Sequence, residues 1–525
     1  MSSQLAVAAL AAVSIAGASA AAQPPAVRLH QGELTGLMAD GYEVFLGVPY
    51  AAPPTGPLRW RAPQPAPAWR GVRPAVTPGP ACIQTAGASG YHGPQSEDCL
   101  SVNLYVPGGL RRGARAPVMV WVHGGGFTGG AGSGYDGAQF AKDGVILVTL
   151  NYRLGRLGFF AHPAIAATSP DGDLADFGLM DQVAALRWVR DNIAAFGGDP
   201  GKVTLFGESA GGQSVDVLLV SPVARGLFAR AISESSFAGF PFSRLDQART
   251  AALAYAHTLG VADQGAAGAA ALRAMPASAF TKPADLTDPA APRPVLDGVM
   301  LARNPLAAFD RGEQTRVPVI IGGNSFEASE FASFVAAAPK AVIARLGGDA
   351  VTVIANYGGE PVRAAADYLT FSQVIEPDRR MARDDARLGV PAWTYYFSYT
   401  PASIRSQTIG AWHGAEIGYV FGTLPKTAHD ARPQPLMPKT FPAAAAQDEA
   451  LSRAVHAYWV AFAKTGRPEP AGEPAWPGVK PGADPTMEFG ADGPEVRAAF
   501  QAQKLDAIEA ASRAAAAAKP QAGPG

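Results

Sequence analysis

A mostly parallel β-sheet with helices on both faces is the fold class this sequence predicts, and three observations carry it. Short β-branched or apolar runs recur along the chain, helical patterns lie between them, and no charge block, Ser/Gly linker or repeat interrupts the stretch from Val27 to about Phe489. The runs are 117 to 123 (PVMVWVH), 145 to 152 (VILVTLNY), 202 to 207 (KVTLFG), 230 to 235 (RAISES), 317 to 323 (VPVIIGG) and 392 to 399 (AWTYYFSY). Each reads as a strand buried in a sheet. The clearest helix is 178 to 196, where Leu179, Val183, Leu186, Val189 and Ile193 recur at helical spacing and Gly197, Gly198 and Pro200 end it. Strands alternating with helices make a parallel sheet, and such sheets carry their chemistry at the carboxyl ends of the strands. The Ala/Pro/Gly-rich stretches 236 to 316 and 328 to 391 read as insertions that roof a pocket. Residues 495 to 519 read as a terminal helix, and 520 to 525 as a frayed tail. Residues 23 to 519 are therefore expected to form one catalytic domain, although a prior of about 150 residues per domain suggests three.

Composition narrows the function classes. The 525 residues hold 43 Lys+Arg against 44 Asp+Glu, a net charge of -1, which offers no sequence-wide attraction to nucleic acid or an anionic membrane. Two cysteines are too few for a disulfide-built scaffold or a four-thiolate zinc site. No HExxH, CxxC or Gly-x4-Gly-Lys-Ser/Thr string occurs, so metal and nucleotide hydrolysis have no anchor and no metal or other cofactor is expected. At the N-terminus a largely apolar run from Leu5 to Ala18 precedes Ala18-Ser19-Ala20, a small-x-small pattern. These 14 residues are too short to span a bilayer but suit the core of a secretory signal, here 1 to 22, cleaved after Ala20 or Ala22. The n-region departs from the pattern in having no Lys or Arg. A secreted or periplasmic protein without stable membrane insertion is expected.

The chemistry centres on Gly207-Glu208-Ser209-Ala210-Gly211, the only Gly-x-Ser-x-Gly in the chain. It follows a strand and precedes an apolar helical run, as a nucleophile elbow requires: small flanking residues let the backbone take a strained turn that presents the hydroxyl. A serine hydroxyl needs a neutral imidazole to take its proton and an acid to orient that imidazole. Of eight histidines, His30, His162, His257 and His429 lack neighbouring signals, His92 lies between the cysteines and His456 sits on a packed helical face. His413, in a loop flanked by glycines, is the favoured base. If the chain order is serine, acid, histidine, Glu327 just beyond the strand 317 to 323 is the acid, with Glu330 and Asp310 as rivals. His123-Gly124-Gly125-Gly126 supplies backbone N–H groups for an oxyanion, each worth roughly 3 to 4 kcal/mol of barrier. The same segment matches Gly124-x-Gly126-x-x-Gly129, but a glycine-rich run rather than a helix follows, and the next strand ends at Asn151-Tyr152 without a carboxylate. A dinucleotide site is disfavoured.

These residues resemble the type-B carboxylesterases, a branch of the α/β-hydrolases. The resemblance runs through 45 to 54 (FLGVPYAAPP), 96 to 107 (SEDCLSVNLYVP), 121 to 127 (WVHGGGF), 151 to 159 (NYRLGRLGF), 181 to 200, 203 to 215 (VTLFGESAGGQSV), 294 to 298 (PVLDG) and 413 to 422 (HGAEIGYVFG). It implies Ser209 as nucleophile, Glu327 as acid and His413 as base, with the N–H groups of Gly125, Gly126 and Ala210 as oxyanion donors. The residue before the family's Glu is usually acidic, and here it is Phe326. The resemblance also implies that His123 shapes the oxyanion loop, that Glu208 lines the site outside the triad, and that Cys82 pairs with Cys99. The loop between these cysteines has no Trp, which argues against choline specificity. The implied activity is hydrolysis of small carboxylic esters through an acyl-enzyme. A lipase, an amidase or a polyester or toxin esterase is the alternative on the same residues, and a non-catalytic adhesion homologue the remote one.

Overall fold

A computed structural model describes residues 24 to 518 apart from 86 to 90, 112, 171, 173, 283 to 290, 428 and 431 to 434. The signal sequence and the tail expected above lie outside the described residues. Eleven strands form one sheet: β1 (Leu37–Met38), β2 (Tyr42–Pro49), β3 (Ser101–Pro107), β4 (Ala116–Val122), β5 (Ile146–Leu150), β6 (Gly198–Glu208), β7 (Arg230–Glu234), β8 (Val319–Asn324), β9 (Ala392–Phe397), β10 (Thr486–Gly490) and β11 (Gly493–Arg497). Their spatial order is β11-β10-β9-β8-β7-β6-β4-β5-β3-β2-β1. From β5 to β10 neighbours pair in parallel, and antiparallel strands close both edges. The protein has the α/β-hydrolase fold.

Side-chain alternation sends each strand into two cores. From β4, Val118, Val120 and Val122 enter one cluster with Leu179, Val183 and Leu186 of helix α1 (Phe177–Asn192) and Val215 and Leu218 of helix α2 (Ala210–Val220). Met119 and Trp121 point to the opposite face and pack with Val455, Trp459 and Phe462 of helix α3 (Ala446–Thr465). Full cover on both faces explains why the central strands read as continuous apolar runs. No described helix is long and apolar enough to cross a membrane.

One element differs from expectation. Residues 495 to 497, expected in the terminal helix, belong to β11: Gly493 takes φ +91° in the hairpin turn, and Val496 pairs with Met487 and packs against the second core. Helix α4 therefore starts only at Ala502 and runs to Ala518. The inserted stretch 328 to 391 folds into short helices whose Val335, Ile343, Leu369 and Val374 form a third core with Phe237 and with Leu505 and Ile508 of α4. Cys82 and Cys99 are disulfide-bonded across a sequence separation of 17, a closure worth about 3 kcal/mol by chain entropy.

Candidate active site

The end of β6 and the start of α2 meet at Ser209, whose backbone takes φ +59° and ψ -123°. Glycines on either side make that turn possible. A Cβ at Gly211 would lie 2.0 Å from the Val122 carbonyl oxygen of β4, and one at Gly207 would lie 2.6 Å from the same atom. The helix can sit this close to the sheet only because neither residue has a side chain. Strain of this kind costs on the order of 1 to 3 kcal/mol per residue and persists only where its surroundings hold it.

Glu327 follows β8, is fully buried, and accepts the Asn324 N–H on Oε1 at 2.5 Å. Its Oε2 is 2.6 Å from Nδ1 of His413, and the backbone N–H of His413 donates to Ser329 Oγ at 2.8 Å. Of the rival acids, Asp310 is ion-paired to Arg380, while Glu330 is exposed on the rim of the cavity. Nε2 of His413 makes no hydrogen bond among the described residues, to Ser209 or any other, and stands 3.2 Å from Glu208 Oε1. The imidazole thus faces a carboxyl on each nitrogen. Burial alone would lower its pKa, but Glu208 and then Glu327 outweigh that and hold it well above the ordinary histidine range. Burial pushes Glu208 up to about 8 against the pull of His413, with Glu416 and Glu327 adding to the rise. Glu416 is itself raised to about 7 by burial and by Glu327, and its carboxylate accepts from Ser235 Oγ and Asn324 Nδ2.

After β4, Gly125 and Gly126 take φ +105° and +60°, and neither N–H makes a hydrogen bond among the described residues. Ala210 opens α2, where the first N–H groups lack intrahelical partners. Gly126, Ser209 and Ala210 line one cavity. His123 lies beneath it, stacked on Tyr152 at 4.5 Å with Nδ1 2.8 Å from the Gly124 carbonyl, and burial lowers its pKa to about 4. His456 is occupied elsewhere, by the Val420 carbonyl at 2.7 Å and Asp143 at 3.0 Å.

The cavity walls were not specified by any motif. Phe237, Phe240, Ala291, Pro292 and Arg293 come from the first inserted stretch and Glu330 and Phe331 from the second. The cluster of phenylalanines in 237 to 242 (FAGFPF), directly after a strand, was the signal that could have found part of this wall.

A profile described as the carboxylesterase family matches residues 23–356 and 354–508. The chain belongs to the carboxylesterase family. This carboxylesterase is a carboxylic ester hydrolase by that membership. It is 36% identical over 490 residues to a fumonisin B1 esterase of Sphingopyxis macrogoltabida, covering 89% of this chain and 87% of the relative. It is 34% identical over 537 residues to liver carboxylesterase 1 of Oryctolagus cuniculus, covering 90% and 91%. Among solved structures, a Geobacillus stearothermophilus carboxylesterase superposes with a TM-score of 0.77 at 31% identity, over 92% of this chain and 99% of that one. A PNB esterase gives 0.76 at 30% with the same coverage.

Proposed function

We propose that this carboxylesterase is an exported, single-domain serine hydrolase that cleaves small carboxylic esters through an acyl-enzyme on Ser209. The observation that carries the reading is the strained elbow of Ser209, set in one cavity with Gly126 and Ala210, together with the 2.6 Å Glu327–His413 contact. In this reading the Ser209 hydroxyl attacks the ester carbonyl while Nε2 of His413 takes its proton. The N–H groups of Gly125, Gly126 and Ala210 receive the oxyanion, and Glu327 holds the imidazole in the tautomer whose Nε2 lone pair faces the serine. His413 then returns the proton to the leaving alkoxide and activates the water that releases the acid. Export is supported by the N-terminal apolar run and by the Cys82–Cys99 bond, which persists in oxidising compartments.

A para-nitrophenyl alkylphosphonate is expected to label one serine per chain with release of para-nitrophenolate, and peptide mass mapping to find it at Ser209. Label on another residue, or none, overturns the reading. Similarity to a fumonisin B1 esterase supports a second reading, narrow specificity on the same site. Turnover of fumonisin B1 with little turnover of simple esters would favour it.

The Glu208 contact gives a pH test. A base works only when unprotonated, so kcat/KM falls as pH drops through the pKa of His413 in the free enzyme. Glu208→Gln removes a neighbour that raises that pKa and should move the acid limb down by about one pH unit. An unmoved or upward-shifted limb in a full pH profile would show that Glu208 does not raise the pKa of the base.

A further inference from the structure

Four non-glycine residues around the site have positive φ: Phe127, Ser209, Ser235 and Phe237. The last two, at +53° and +40°, belong to the bend Ser235-Ser236-Phe237 that follows β7. Neither is a residue that prefers this conformation, so the bend must be held from outside. Ser235 donates its N–H to the Gly322 carbonyl at 2.7 Å and its hydroxyl to Glu416 at 3.1 Å. The Gln213 side-chain amide donates to the Phe237 carbonyl at 3.2 Å. Between these anchors, Ser236 Oγ donates to Asp216 Oδ2 at 2.5 Å.

Asp216 is the unexpected member. It lies on α2, seven residues beyond Ser209, between Val215 and Val217, and is 1% exposed. Its Oδ1 has no hydrogen bond of good geometry among the described residues, and the nearby Ser233 hydroxyl donates to the Gly212 carbonyl at 3.2 Å. A carboxyl with one oxygen unsatisfied costs stability that a leucine in the same apolar helix would not. What the carboxyl supplies is the tie to Ser236. The bend so held carries Phe237, 5% exposed, with its ring 5.1 Å from that of His413, stacked on Phe240 at 5.6 Å and edge-on to Phe331 at 5.5 Å.

We infer that Asp216 and Ser236 are positioning residues: their hydrogen bond pins the strained bend so that Phe237 packs on the His413 imidazole and fixes where Nε2 points. The inference rests on the reading of His413 as the base. Burial raises the Asp216 carboxyl to about 7 against the Ser236 and Ser233 hydroxyls, and because Asp216 only accepts from Ser236 Oγ, an asparagine side-chain oxygen can take the same hydrogen bond.

The test is a double-mutant cycle in the full-length enzyme, with kcat and KM for a short para-nitrophenyl ester referred to active sites titrated by the phosphonate. Ser236→Ala and Asp216→Leu should each lower kcat about tenfold, since misplacing a reacting group by about 1 Å can cost 100-fold, while KM moves less than about twofold. Asp216→Asn, which keeps a partner for Ser236, should stay within about twofold of the parent. In a Phe237→Leu background, Ser236→Ala should cost less than about twofold more, because residues acting through one contact are not additive. Fully additive losses, or an unchanged kcat in Ser236→Ala, overturn the inference. Retained turnover in Ser209→Ala would instead overturn the proposed function beneath it, so the two failures are distinguishable.

Discussion

Ser209→Ala is expected to hydrolyse a short para-nitrophenyl ester about 10⁴-fold or more slowly than the parent, with a melting temperature close to unchanged. In the proposed mechanism the rate loss follows from removing the group that forms the acyl bond, leaving substrate binding and the proposed oxyanion donors. The unchanged stability follows from the elbow itself. The Ser209 hydroxyl makes no hydrogen bond to another described residue, so its removal leaves no buried partner unsatisfied, and alanine keeps the same Cβ at the same strained φ of +59°. Initial rates and a thermal melt on the same preparation separate the two effects. A variant that still turns over near the parental rate would remove Ser209 from the mechanism.

Glu327→Gln is expected to lower kcat by about 10³- to 10⁴-fold, again without unfolding the protein. An amide oxygen can still accept the Asn324 N–H, now received by Oε1 at 2.5 Å. Its NH2 then faces Nδ1 of His413 in place of Oε2. Nδ1 becomes the acceptor, the ring proton moves to Nε2, and the lone pair that would take the serine proton is lost. The rival carboxylate is the control: Glu330→Gln, on the exposed rim, should change kcat by less than about threefold. Equal losses in the two variants would mean that the carboxylates act as a diffuse field and that Glu327 has no special place.

How much of this was legible in the sequence depends on what held each residue in place. The six central strands were readable because both faces are buried and their apolar runs are unbroken. Tyr42–Pro49 and Gly493–Arg497, both with mixed burial patterns, give no such run, and residues 495–497 of the second fall in the expected terminal helix. Ser209, Gly125 and Gly126 stood out because their backbone demands leave glycines in the chain. Glu327 and His413 stand 86 residues apart, and they are marked by the strand end before Glu327, by the elimination of the other histidines and by the flanking Gly and Asn residues. The conformation of Phe237 was invisible for the opposite reason. Its positive φ is imposed by hydrogen bonds from α2, β8 and Glu416, partners distant in sequence, and a phenylalanine carries no local mark of such a conformation. The contact between Glu208 and His413 is likewise a product of the fold, since nothing in Gly-Glu-Ser says which way the glutamate turns.

Reacting groups and cavity walls have separate origins in this fold. The serine, the acid and the glycine loop hang directly from the ends of β6, β8 and β4, whereas Phe240, Ala291, Pro292, Arg293 and Phe331 arrive on excursions away from the sheet. Selectivity and turnover are consequently modular. A library that diversifies the excursions can re-tailor which ester fits while the proposed reacting atoms keep their spacing, because strand ends carry Ser209, Glu327 and the glycine loop, and the loop that carries His413 is tied to Glu327 and Ser329. Phe237 is the exception that sets the boundary of such a library, since it is wall and strut at once.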